Sequence, residues 1–165
     1  MIDLEKRVSA LEWCIRTERA IHAYGRLCDH GPYEPGSLMS MWTSKGRFGT
    51  GSDEYHGQDE IYQFFDSLAA DYTIHYFSNV IVELNVAMDK AIIYCYGIEA
   101  PVISKNALVG GFEHQIICSL RNDTVMLSDW NQTIQFLCPA LNGWIGDNRF
   151  FEQKKFPKAF NNDNQ

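Results

Sequence analysis

The chain has 165 residues, 45% apolar and 13% aromatic, with fourteen Lys/Arg against twenty-one Asp/Glu and a net charge of −7. That length suits one domain, and the composition excludes disordered and fibrous classes. No Lys/Arg run exists to bind nucleic acid or an anionic membrane surface, and no apolar stretch reaches the roughly twenty residues of a membrane span.

Leu4, Val8, Leu11 and Ile15 recur at helical spacing, continued by Ile21, Tyr24, Leu27 and Cys28. Asp3 can cap this first helix, and Gly31-Pro32 stops it after Asp29-His30. Pro35-Gly36 opens a short second helix through Ser37–Trp42. Lys45–Thr50 and Glu54–His56 read as a short hairpin around Gly49, Gly51 and Ser52, and Gln58–Leu68 as a third helix. Four β-rich runs follow: Tyr72–Leu84, Lys90–Glu99, Gly111–Leu120 and Val125–Cys138. They are joined by Asn85–Asp89, a long Pro101–Gly110 connection and Asn122-Asp123. Helices followed by long antiparallel strands make an α+β fold, with a curved sheet wrapped around the N-terminal helices. Residues 1–145 form a single domain on this reading, and 146–165 a peripheral tail.

The strand Tyr72–Leu84 carries a conflict. Val80, Val82 and Leu84 mark one face as core, and strict alternation then puts His75 and Phe77 on the other. A β-bulge at Ser78-Asn79 brings all five to one side. The five cysteines (Cys14, Cys28, Cys95, Cys118 and Cys138) include no Cys-x-x-Cys and no His at zinc spacing. They read as reduced, mostly buried thiols. With the charged start Met1–Arg7, which is no signal peptide, they point to the cytoplasm.

The blocks A-Y-G-R-L-C-D-H-G (Ala23–Gly31), H-G-Q-D-E-I-Y-Q-F-F (His56–Phe65), T-I-H-Y-F-S-N-V-I-V-E-L (Thr73–Leu84) and G-G-F-E-H (Gly110–His114) resemble the SnoaL-like branch of the nuclear-transport-factor-like superfamily. Within it the chain is similar to hexachlorocyclohexane dehydrochlorinase, bile-acid 7α-dehydratase and scytalone dehydratase. The resemblance implies a cone-shaped antiparallel sheet, an α+β barrel, with a buried pocket and no cofactor. It implies Asp29 and His75 as an acid–base pair, Tyr24 as an accompanying donor and Glu99 as a further acidic residue. It also implies a homo-oligomer, a trimer or dimer joined through the outer sheet face, where Gln115, Ile117, Gln132 and Ile134 are expected. The second catalytic His of scytalone dehydratase has no counterpart, since the chain reads Ala100-Pro101-Val102 there. Nothing matches the basic residue that helps the dehydrochlorinase's leaving group.

Read from the residues themselves, His75 can remove a proton near neutral pH, provided a carboxylate such as Asp29 fixes its tautomer. Asp29 reads equally as a helix-end residue, His75 as a core histidine, Tyr24 as a core aromatic and Glu99 as a surface carboxylate. Trp42, Phe48, Phe65, Tyr76 and Trp130 can wall an apolar pocket or fill a core. His114 alternates with Phe112 and Ile116 and can line the cavity. Asn131, an amide in an apolar strand, must be paired or must orient a ligand oxygen. The histidines show no metal-ligand spacing. The expected function is a cofactor-independent lyase or isomerase, of dehydratase or dehydrohalogenase type, acting on a hydrophobic cyclic small molecule. A polyketide or terpenoid cyclase and a non-catalytic ligand-binding domain are the alternatives.

Overall fold

The computed structural model describes residues 3–29, 35–68, 70–103 and 106–140. The Gly31-Pro32 stop, the domain boundary at 145 and the tail 146–165 lie outside them. Helix α1 (Leu4–Cys28) starts where Asp3 accepts the Glu5 N–H at 3.2 Å, which satisfies one of the free donors of the first turn. Helices α2 (Pro35–Met39) and α3 (Gly57–Ser67) follow among the strands β1 (Trp42–Thr50), β2 (Asp53–His56), β3 (Ala70–Tyr72), β4 (His75–Leu84), β5 (Lys90–Glu99), β6 (Val102–Ile103), β7 (Asn106–Arg121) and β8 (Thr124–Pro139).

The main sheet runs β2-β1-β8-β7-β5-β4, and the short β6 links β3 to β7 at one end. The β1–β8 pair is parallel and the remaining pairs are antiparallel. The result is a curved α+β sheet that does not close, with β2 and β4 as its edges. Its inner face meets α1, α2 and α3 through Ile21, Cys28, Leu38, Ile61, Ile93, Ile116 and Leu127, all buried. No helix among the described residues is long and apolar enough to cross a membrane. All five cysteines are free thiols, four of them buried.

Three expectations need correction. The second helix ends at Met39, and Trp42 opens β1 instead. The Pro101–Gly110 connection is mostly strand, because Val102-Ile103 pairs with Asn106-Ala107 and the following residues extend β7 against β8. The third concerns α1. Its apolar residues form two lines, not one, since the six-residue step from Ile15 to Ile21 turns the helix by about 240° from one line to the other. Ile21, Tyr24 and Cys28 are buried, whereas Leu4, Val8, Leu11 and Ile15 are 69, 46, 65 and 49% exposed.

The bulge in β4 is present. Ser78 faces Tyr96 and Ile81 faces Tyr94, so three residue steps on β4 span two on β5. Asn79 takes up the extra residue at φ 52°, the left-handed region that Asn tolerates better than most side chains. His75 and Phe77 therefore share the inner side with Val80, Val82 and Leu84. Opposite them, α1 presents Gly25. A methyl group there would come within 2.9 Å of the Phe77 ring and 3.3 Å of His75 Cβ. The missing side chain lets the helix lie directly against the strand, with Asp29 one turn further on.

Candidate active site

Between the inner face of the sheet, α1 and α3 lies a cavity of about 160 Å³. Phe48, Phe64, Phe65, Phe112, Leu137 and Trp130 line it, with polar groups from Tyr24, Thr73, His75, Glu99 and Gln132. The aromatic wall is interlocked: Phe48 packs 5.2 Å from Phe65 and Tyr24 packs 4.8 Å from Trp130, ring centre to ring centre.

The register of β4 and the C-terminal end of α1 bring His75 and Asp29 together. One carboxylate oxygen, Asp29 Oδ1, accepts both the His75 backbone N–H at 2.7 Å and the ring Nδ1–H at 2.9 Å. A carboxylate can only accept here, so Nδ1 carries the proton and Nε2 is left as the basic nitrogen. On that side stands Glu99, whose Oε1 lies 4.0 Å from Nε2. The side chains of His75, Asp29 and Glu99 are 11, 15 and 17% exposed. The Gln132 amide donates to Glu99 Oε1 at 3.2 Å. Burial raises the Glu99 carboxyl above the usual carboxylate range, against the opposing pull of His75 and Gln132. Among the described residues, no group of three His, Cys, Asp or Glu side chains could hold a metal ion.

Tyr24 lines the cavity, and burial pushes the pKa of the Cys28 thiol, one helical turn further on, far up. Of the expected wall residues, Phe48, Phe65 and Trp130 line the cavity. Trp42 stands one layer behind, fully buried and stacked on Trp130. His114 is likewise behind the wall. Its Nδ1 accepts the Trp130 indole N–H at 3.1 Å, while Nε2 has no hydrogen-bond partner among the described residues. Desolvation, with His75 nearby, lowers its pKa to about 3, so this ring is a neutral brace for the indole. Room for it comes from Gly97, where a methyl group would overlap the imidazole.

Two assignments fail on the period of two along a strand. Tyr76 follows the inward His75 and points outward, 62% exposed. Asn131 follows the inward Trp130 and turns to the outer face, where its Oδ1 accepts from Arg47 Nη2 at 2.9 Å. Arg47 also holds Asp129 through two 2.8 Å bonds and Glu54 through one of 2.9 Å, which ties β8 to β1 and β2. Conversely, Gln132, expected on the outer face, lines the cavity. Alternation from Trp130 is the signal that identifies it.

An open, curved sheet with helices over its concave face and a cavity between them is the nuclear-transport-factor-like, cystatin-like architecture. Within it, the SnoaL-like domain model matches residues 14–127, and the chain belongs to that family. The fold is similar to that of a scytalone dehydratase-like protein of Novosphingobium aromaticivorans, with a TM-score of 0.70, 11% identity, and 82% of this chain and 91% of that one covered. It is similar to a hexachlorocyclohexane dehydrochlorinase of Novosphingobium barchaimii at 0.65, 16%, 83% and 93%. An NTF2-like protein of N. aromaticivorans gives 0.67, 19%, 81% and 91%. No curated protein matches the chain.

Proposed function

We propose that the protein is a cofactor-independent lyase that eliminates water from a neutral, hydrophobic, single-ring substrate. The observation that carries this reading is the array Asp29–His75–Glu99: a base with its tautomer fixed, and a carboxyl opposite it, 4.0 Å away, at the edge of an apolar cavity. His75 Nε2 takes a proton from carbon, and the C–H pair becomes the double bond. The neighbouring C–O bond breaks, and its oxygen leaves as water with the proton of Glu99. Transfer of one proton from His75 to Glu99 then restores both groups. Tyr24 supports the step as a second hydroxyl donor near the leaving or developing oxygen.

Two features favour an oxygen leaving group over a halide. Hydroxide leaves poorly unless protonated, and Glu99, raised by burial and partnered by an amide rather than a cation, is suited to supply that proton. Halide needs no proton but gains from a positive charge, and among the described residues no Lys or Arg lines the cavity. The volume supports the size: a dry cavity of about 150 Å³ holds one benzene ring, and about 160 Å³ suits a monocycle.

The test is a panel of cyclohexane-ring compounds, β-hydroxy ketones on one side and chlorinated rings on the other. Alkene formation is followed by absorbance or mass spectrometry, with His75→Ala as control. Turnover of a hydroxylated ring that depends on His75 supports the reading. Halide release with no dehydration refutes the leaving-group assignment. Turnover unaffected by His75→Ala refutes the site.

A further inference from the structure

We propose that the N-terminal half of α1 is a self-association seam, which pairs in parallel with the same helix of a second copy of this chain. The four exposed residues Leu4, Val8, Leu11 and Ile15 are spaced four, three and four apart. That is a d-a-d-a heptad run, with β-branched Val8 and Ile15 at a and Leu4 and Leu11 at d. This is the combination that favours two parallel strands over higher oligomers. The line lies on the side of the helix away from its own core, which Trp13 and Thr17 meet in this half. A second helix can therefore reach it without displacing anything described.

The flanking charges select the partner and its direction. In parallel register, a g residue faces the e residue five places later on the other helix. Arg7 is at g and Glu12 at e, so both edges of the seam receive one Arg7–Glu12 pair. Both side chains are exposed, and neither makes an ion pair among the described residues. In antiparallel register, with Leu4 opposite Ile15 and Val8 opposite Leu11, e faces e, and Glu12 would oppose Glu5 of the other copy. The seam is thus complementary to itself in one orientation. Two heptads bury little area, so the dimer is concentration-dependent.

Light scattering and sedimentation on the full chain, from about 1 to about 300 µM, test this. The mass should rise from 18.9 kDa toward twice that value. Leu11→Glu should hold it at the single-chain value with unchanged circular dichroism, since the side chain is 65% exposed. Arg7→Glu and Glu12→Arg should each weaken the dimer, and together they should restore it. Leu11→Cys should form a disulfide-linked dimer on oxidation, because d faces d only in parallel register. A wild type that stays at 18.9 kDa throughout overturns the proposal; the seam would then be covered within the chain or by another protein. So does an oligomer that survives Leu11→Glu, which would place association on the sheet face. Charge reversals without effect, or no disulfide at Leu11→Cys, overturn the parallel orientation.

Discussion

Acidification offers a test of the interior that needs no substrate. His114 is 1% exposed, accepts the Trp130 N–H, and has a pKa of about 3. An unfolded imidazole titrates near 6.5. Between those values the unfolded chain binds a proton that the folded chain refuses, so stability is lost as pH falls below about 6.5. From pH 7 to pH 5 the linkage amounts to about 2 kcal/mol, roughly a 25-fold rise in the unfolding constant. Because pH 5 lies well above the folded value, that cost depends almost wholly on the unfolded imidazole. For a chain of this length it corresponds to about 4–8 °C in melting temperature. Glu99 acts in the opposite sense, since its raised folded pKa makes stability increase as pH falls toward the ordinary carboxylate range. Other surface groups also contribute. The comparison therefore uses His114→Gln, which keeps an oxygen acceptor for Trp130 and removes the titration. Melting curves at pH 7 and pH 5 should show a loss several degrees larger in the wild type than in the variant. Equal losses in the two proteins would refute the buried, neutral His114.

Further outcomes concern the site, measured on whichever ring compound the panel identifies. Asp29→Asn should retain the geometry, because the His75 backbone N–H and Nδ1–H meet the same oxygen and an amide oxygen can accept both. It removes the charge that stabilises imidazolium, so kcat should fall about tenfold to a hundredfold, less than the hundred- to ten-thousandfold of His75→Ala. Equal losses would show that the tautomer flips. Gly25→Ala should fold, yet lose about tenfold or more in kcat/KM as the helix moves off Phe77 and His75; unchanged kinetics would show that the close approach is dispensable. Glu99 acts in its protonated form, so wild-type dehydration should decline as pH rises through its raised pKa. Glu99→Gln should be slow and lack that decline, and an unchanged profile would place the acid elsewhere.

Alternation and helical spacing made much of this legible. The bulge followed from the clash between His75-Phe77 and Val80-Val82-Leu84, because a strand cannot bury both sets without an extra residue. The Asp29–His75 pair needed more. Their type and position were readable, but their meeting depends on the small size of Gly25, which no local pattern announces. Asn131 and Tyr76 misled because a polar or aromatic residue in a strand says nothing of its face until a neighbour's face is known. Once Trp130 is inside, Gln132 must be inside and Asn131 outside. The two lines of α1 merged on paper because each has helical spacing, and only the phase between them shows that one faces away. The brace role of His114 depends on β5 supplying Gly97 beside it, a relation across strands that the order of residues does not carry.

The extra residue at Asn79 divides β4 into two parts with independent phase. Deleting it would leave Val80–Leu84 packed as before and rotate the segment that bears His75 by half a period, presenting the imidazole to solvent and Tyr76 to the cavity. The scaffold can therefore be disarmed, or armed, by one codon gained or lost outside the helices and the central strands. Sequence comparisons that close a one-residue gap at this point will set inward-facing residues against outward-facing ones.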